Sequence, residues 1–148
     1  SIPFNPNHSM ITEITTYSDA CLDAINRLLP QLSSSGRQMT NDQLQSMIAN
    51  NDTHLFVAEA NGTMLGMLSL CTYATPTGRK WWVEDVVVDQ QARGQHIGRS
   101  LVEHAIHYAR THGGGTIMLT SRPQRVAANQ LYQSLGMQLK PTNVYQTQ

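Results

Sequence analysis

The sequence predicts a single domain of mixed α/β class, a central sheet flanked by helices in the order β-α-α-β-β-β-α-β-α-β. Three observations carry that expectation. Short β-branched or alternating stretches are interleaved with stretches whose apolar residues recur at helical spacing. Turn-forming residues punctuate them. The 148 residues, 40% of them hydrophobic, supply one core of ordinary size and show no internal repeat or linker.

Met10–Thr15 alternates weakly and opens the sheet. Ser18 or Asp19 can cap a helix carrying Leu22, Ile25, Leu28, Leu29 and Leu32, which Pro30 should end or kink in its last turn. Residues 33–37 form a loop, and Thr40 or Asn41 caps a short helix with Leu44, Met47 and Ile48 on one face. His54–Glu59 and Met64–Tyr73 read as strands around Asn61-Gly62, a turn that needs positive φ. A loop over Ala74–Arg79 precedes Trp81–Val88, the strongest strand signal in the chain. A helix from about Gly98 to His112 is closed by Gly113-Gly114-Gly115. Thr116–Thr120 reads as a buried strand and Arg125–Leu135 as a helix closed by Gly136. Met137–Leu139 and Val144–Tyr145 are the expected last strand pieces.

Composition excludes several classes. Charged residues make up 14% and the net charge is zero, which argues against generic nucleic-acid or membrane-surface binding. An apolar run of roughly 18 residues, enough to span a membrane, does not occur. Cys21 and Cys71 lack metal-ligand spacing and read as free buried thiols of a cytoplasmic protein. Residues 1–9 are set aside as a leader or extended tail, leaving 10–148 as the domain. Charge is polarised along the chain. Residues 1–89 hold four basic against nine acidic side chains, and residues 90–148 hold six against one. Five of those six are arginine, so the second half is suited to an anion and the first to a cation.

The informative block is Val86-Val87-Val88-Asp89-Gln90-Gln91-Ala92-Arg93-Gly94-Gln95-His96-Ile97-Gly98-Arg99-Ser100. A strand, a glycine-bearing turn and a helix N-terminus follow one another. Such a turn aims unpaired N–H groups outward with the helix dipole behind them, and a glycine lets phosphate approach. It is neither a Walker loop nor a dinucleotide fingerprint.

Gln91–Gly98 resembles the acetyl-CoA pyrophosphate loop of the GNAT N-acetyltransferase superfamily, Q/R-x-x-G-x-G/A. Ala128-Asn129-Gln130-Leu131-Tyr132-Gln133-Ser134-Leu135-Gly136-Met137 is similar to that family's A-x-x-L-Y-x-x-x-G-F helix. The resemblance implies a mixed, mostly antiparallel splayed sheet with acetyl-CoA wedged between the strand ending at Val88 and the strand Thr116–Thr120. Val86, Val87 and Val88 would meet the pantetheine arm, through the backbone at Val86 and Val88. Arg93, Gly94, Gln95, His96, Ile97, Gly98, Arg99 and Ser100 would meet the pyrophosphate. Asn129 is the candidate for a further pantetheine contact, since Arg125 stands where many members have asparagine. His96 stands where the pattern has Gly or Ala, so its side chain must turn away from the phosphates. Met137 replaces the usual Phe.

Direct acetyl transfer needs a base to take a proton from an ammonium and an acid to protonate the leaving thiolate. The resemblance implies Tyr132 as the acid. Period two places Lys80, Trp82, Glu84 and Val86 on one strand face and Trp81, Val83, Asp85 and Val87 on the other. Glu84 is therefore the expected base, sharing a face with Val86, and Asp85 the structural neighbour. His104, His107 and His112 are expected on a solvated face with no metal. Arg122 and Arg125 meet either the cofactor or solvent. The expected partner is a small cationic amine such as a polyamine, amino sugar or aminoglycoside-like amine, with no nucleic acid and no membrane. A homodimer through the apolar C-terminal strands is compatible with this. The alternatives are a protein N-terminal or lysine acetyltransferase, and a non-catalytic acyl-CoA sensor indifferent to Glu84 and Tyr132.

Overall fold

The computed structural model describes residues 9–148. Strands β1 (Ser9–Glu13), β2 (Thr53–Ala60), β3 (Thr63–Thr75), β4 (Gly78–Val88) and β5 (Thr116–Met118) form one sheet in that order. Neighbours are antiparallel except β4 and β5, which run parallel over Lys80–Trp82. Helices are α1 (Asp19–Leu32), α2 (Asn41–Ala49), α3 (Ile97–Thr111) and α4 (Val126–Ser134).

Local chemistry sets the boundaries. Ser18 Oγ accepts the Cys21 amide at 3.0 Å to start α1. Thr40 and Gln43 form a reciprocal capping box at α2. Pro30 lies in the last turn of α1, and the helix continues to Leu32 because only one amide is lost there. Asn61 and Gly62 both have positive φ, as the two-residue hairpin turn requires. The expected loop over Ala74–Arg79 is instead a hairpin, with Thr75 paired to Gly78 across Pro76-Thr77. At Gly115 a Cβ would stand 2.2 Å from the Arg79 carbonyl oxygen, so glycine is what lets β5 approach β4.

The sheet separates two cores. Ile25, Leu28 and Leu44 from α1 and α2 pack on Leu55, Val57, Met64, Met67 and Val87. Leu101, Val102 and Ala105 of α3 and Tyr132 of α4 pack on Phe56, Leu68, Leu70, Trp81 and Val83. Each such aliphatic side chain stabilises the fold by about 1.5–3 kcal/mol.

Strand β4 breaks the expected alternation. Ser69 pairs with Glu84 and Met67 with Val87, so three steps on β4 answer two on β3. Asp85, at φ +51°, lies within this bulge. One extra residue rotates every later side chain to the opposite face. Val86 and Val88 therefore join the α3–α4 side while Val87 joins the α1–α2 side. Glu84 and Val86 do not share a face, contrary to the strand-period expectation.

One terminal expectation also changes. Of residues 1–9, set aside as a leader or tail, only Ser9 is among the described residues, and it pairs with Ala60 within β1. Among the described residues no strand follows α4, so Met137–Leu139 and Val144–Tyr145 are not strands. Pro141 lacks an amide donor, and the Thr142 amide turns back to the Lys140 carbonyl at 2.9 Å. Leu139, Val144 and Tyr145 are 87%, 72% and 89% exposed. Strand β5 is shorter than expected and only half-buried, with Thr116 exposed.

Candidate active site

The strand-to-helix junction is built from backbone. Asp89, 3% exposed, opens a 3-10 turn over Gln90–Ala92 and accepts the Gln91 amide at 3.0 Å. Arg27 of α1 donates to Asp89 Oδ2 at 2.5 Å and to the Met64 carbonyl at 2.5 Å. Gln31 accepts the Gln90 amide at 2.8 Å. Burial alone would raise the Asp89 carboxyl, but the Gln91 amide and the Arg27 guanidinium hold it below its ordinary value. Sequence reasoning missed this clamp, because Arg27 and Asp89 lie 62 positions apart.

Beyond the clamp, Gly94 has φ +80° with open space where a Cβ would stand. His96, at φ +61°, is the N-cap of α3 but supplies no side-chain cap. The Ile97, Gly98 and Arg99 amides begin the helix with no acceptor one turn back, at the positive end of its dipole. Ile97 is 1% exposed, so only its backbone can face a ligand. Arg99 is engaged with Glu103 at 2.9 Å and Ser134 Oγ at 3.0 Å. Ser100 Oγ donates to the His96 carbonyl at 3.0 Å. Gln95 lies within the turn, and Arg93 is exposed beside Gly94.

Beyond Trp82 and Met118, β4 and β5 are no longer paired. Tyr132 of α4 packs among Trp81, Val83 and their neighbours at 7% exposure. Burial pushes its phenol up, partly offset by Arg125, so it stays protonated at neutral pH and can act as an acid. A cavity of about 650 Å³ is lined by Trp82, Met118, Thr120, Ser121, Asn129 and Tyr132 among others. Ser121 Oγ is buried in it without a partner, so this wall holds an open polar position for an amide-bearing chain such as pantetheine. None of its lining comes from Val86–Ser100, so the cavity and the turn before α3 are separate features. Asn129 lines it too, but its Nδ2 donates to the Arg122 and Arg125 carbonyls, each at 2.9 Å, bracing the entry to α4.

The other sheet face carries the carboxylates. Glu84 is exposed, and burial of its carboxyl followed by the Asp85 charge raises it above the ordinary range. Asp85 lines a second pocket, between β3–β4 and α1–α2, with Ile25, Leu29, Met39, Met47, Met67 and Ser69. Strand period alone assigns Asp85 only a structural role, because the bulge that aims it there has no residue signature.

The histidines do not form one solvated face. His104 meets Phe56 edge-on at 4.7 Å between ring centres, and His112 stacks on Tyr108 at 3.7 Å. Among the described residues no group of three His, Cys, Asp or Glu side chains could hold a metal ion. No helix of the described residues is long and apolar enough to cross a membrane. Arg122 and Arg125 are both exposed.

With this geometry in place, the comparisons with known proteins are specific. The sequence model of the acetyltransferase (GNAT) family matches residues 21–137. N-alpha-acetyltransferase RimI of Mycobacterium tuberculosis is 30% identical over 91 residues, 62% of this chain and 56% of that protein. The chain spans about half the length of the curated relatives it matches. An aminoglycoside acetyltransferase from an uncultured soil metagenomic sample superposes with a TM-score of 0.84 at 17% identity, covering 97% of this chain and 98% of that one. AAC(6')-Iy, solved with a CoA bisubstrate analogue, gives a TM-score of 0.77 at 15% identity, over 95% and 98% of the two chains. At those identities the structural likeness is one of fold.

Proposed function

The chain belongs to the acetyltransferase (GNAT) family, and on that premise we propose that it transfers an acetyl group from acetyl-CoA directly to a primary amine. The observation that supports this best is the start of α3 behind Gly94, which the His96 side chain does not cap, directly beyond the end of the bulged strand β4, where it pairs with β3 but no longer with β5. The amides of Gly94–Arg99 hold the pyrophosphate, and the end of β4 beyond its pairing with β5 receives the pantetheine arm at Val86 and Val88.

Glu84, its pKa raised, takes a proton from the ammonium directly or through one water. The freed amine attacks the thioester carbonyl carbon. The tetrahedral intermediate collapses by breaking the C–S bond, and the nitrogen loses its second proton to solvent. The departing thiolate takes the proton of the Tyr132 hydroxyl, which solvent restores. An amide and free CoA leave.

A second acceptor class is the α-amine of a peptide, favoured by the likeness to a protein named an N-alpha-acetyltransferase. Purified protein with acetyl-CoA and a panel of small amines and free-N-terminus peptides separates these readings. The expected result is thiol release above the buffer rate with a primary amine, and none with its N-acetylated form. Tight acetyl-CoA binding without thiol release from any acceptor leaves a non-catalytic acyl-CoA-binding module.

A further inference from the structure

The pocket beside Asp85 differs in character from the acidic half of the chain that surrounds it in sequence. Its walls are Ile25, Leu29, Met39, Met47, Leu55 and Met67, and its volume is about 190 Å³. The polar groups, Asp85 and Ser69 from the sheet with Arg37, Gln38 and Gln43 from the α1–α2 segment, are fewer and leave most of the wall apolar. Asp85 is exposed at this site, and its place there follows from the bulge, which also leaves Glu84 next to it in the chain. A hydroxyl-rich or polycationic acceptor would leave its polar groups unpaired against six apolar walls. Three of those walls are methionines, which adapt to varied apolar shapes.

We propose that this pocket is the acceptor's specificity site and that it takes a primary amine bearing a compact apolar body, whose ammonium is held by Asp85 at the mouth. The inference rests on the acetyltransferase reading and narrows the acceptor class away from the polyamines, amino sugars and aminoglycoside-like amines that charge alone suggested. Asp85 is a binding group here, and Glu84 remains the base. The methionine walls set a size limit rather than a shape, so straight-chain and aromatic amines of similar volume are both accepted.

The test compares hexylamine and 2-phenylethylamine with glucosamine and spermidine, by thiol release at saturating acetyl-CoA. The apolar pair should have the higher kcat/KM, by on the order of tenfold or more. Met47→Asp, which puts a charge into the wall, should raise the KM for hexylamine about tenfold while acetyl-CoA affinity stays unchanged. Should that variant fold poorly, Asp85→Asn keeps a residue that tolerates positive φ and should raise the KM of every amine. In parallel, calorimetry measures hexylamine binding to the CoA-loaded protein without turnover. Preference for glucosamine or spermidine, or an unchanged KM in the folded variants, overturns the pocket assignment and leaves the acetyltransferase reading intact. Hexylamine binding without turnover keeps the pocket and overturns the acetyltransferase reading. Neither binding nor turnover overturns both.

Discussion

The two sides of strand β4 are built from different materials. Toward α3, the junction offers main-chain amides, a glycine at φ +80° and a helix dipole. Toward α1 and α2, the pocket offers methionine walls and one carboxylate placed by a bulge. The first uses groups that every residue has, so its specificity lies in backbone path. The second uses side chains, so its specificity lies in which residues happen to converge. The Arg27–Asp89 clamp joins the two, because α1 forms a wall of the pocket and anchors the start of the turn before α3.

Perturbing each side should give a different signature. The largest effect is expected at Tyr132→Phe, which removes one oxygen from a buried ring. It should lower kcat on the order of 10² while leaving acetyl-CoA affinity nearly intact. Wild-type kcat, with chemistry shown to limit turnover, would return Tyr132 to a core aromatic.

The clamp comes next. Asp89→Asn should cost about 2 kcal/mol in urea unfolding at pH 7, because the buried carboxylate is replaced by a neutral amide and Arg27 loses its ion-pair partner. The folded carboxyl sits below its ordinary value, so its stabilisation is complete above the unfolded pKa of about 4. It is lost as pH falls through the folded value. The gap between wild type and variant should therefore close in acid. A gap that persists or widens there would mean the ion pair is not its source.

A smaller effect marks the backbone side. Gly94→Glu adds a side chain at positive φ and a negative charge at the turn proposed to hold the pyrophosphate. The Kd for acetyl-CoA should rise about tenfold, or about 1.4 kcal/mol. Unchanged affinity in a folded variant would remove the turn from the cofactor site. The smallest effect is expected in the C-terminal segment. Val144→Ser should shift stability by no more than about 0.5 kcal/mol, since the residue is 72% exposed. A larger loss would show that this segment packs against a surface in solution.

The same contrast explains what the sequence made legible. The Asn61-Gly62 turn, the Ser18 and Thr40 caps and the glycine-bearing junction before α3 all announce themselves through residue types with local conformational demands. The bulge at Asp85 does not, because any residue run of Glu84-Asp85-Val86-Val87-Val88 reads as continuous alternation until its partner strand is known. That single insertion separated Glu84 from Val86 and gave Asp85 to the pocket. The pairing of Arg27 with Asp89 is equally non-local. The expected last strand does not form because Val144-Tyr145 is apolar for two residues only, between polar neighbours and after Pro141, too little to compensate for ordering a strand.

In the proposed reaction Glu84, the carboxylate beside the bulge, accepts the ammonium proton. The direct measurement is a pH–rate profile of wild type and Glu84→Gln with one saturating amine. The wild-type kcat/KM should rise through an ionisation above the usual glutamate value, since burial and the Asp85 charge raise Glu84. Glu84→Gln should lose activity most near neutrality and recover toward alkaline pH, where the amine deprotonates unaided. Two profiles that run parallel across the whole range would place the base elsewhere.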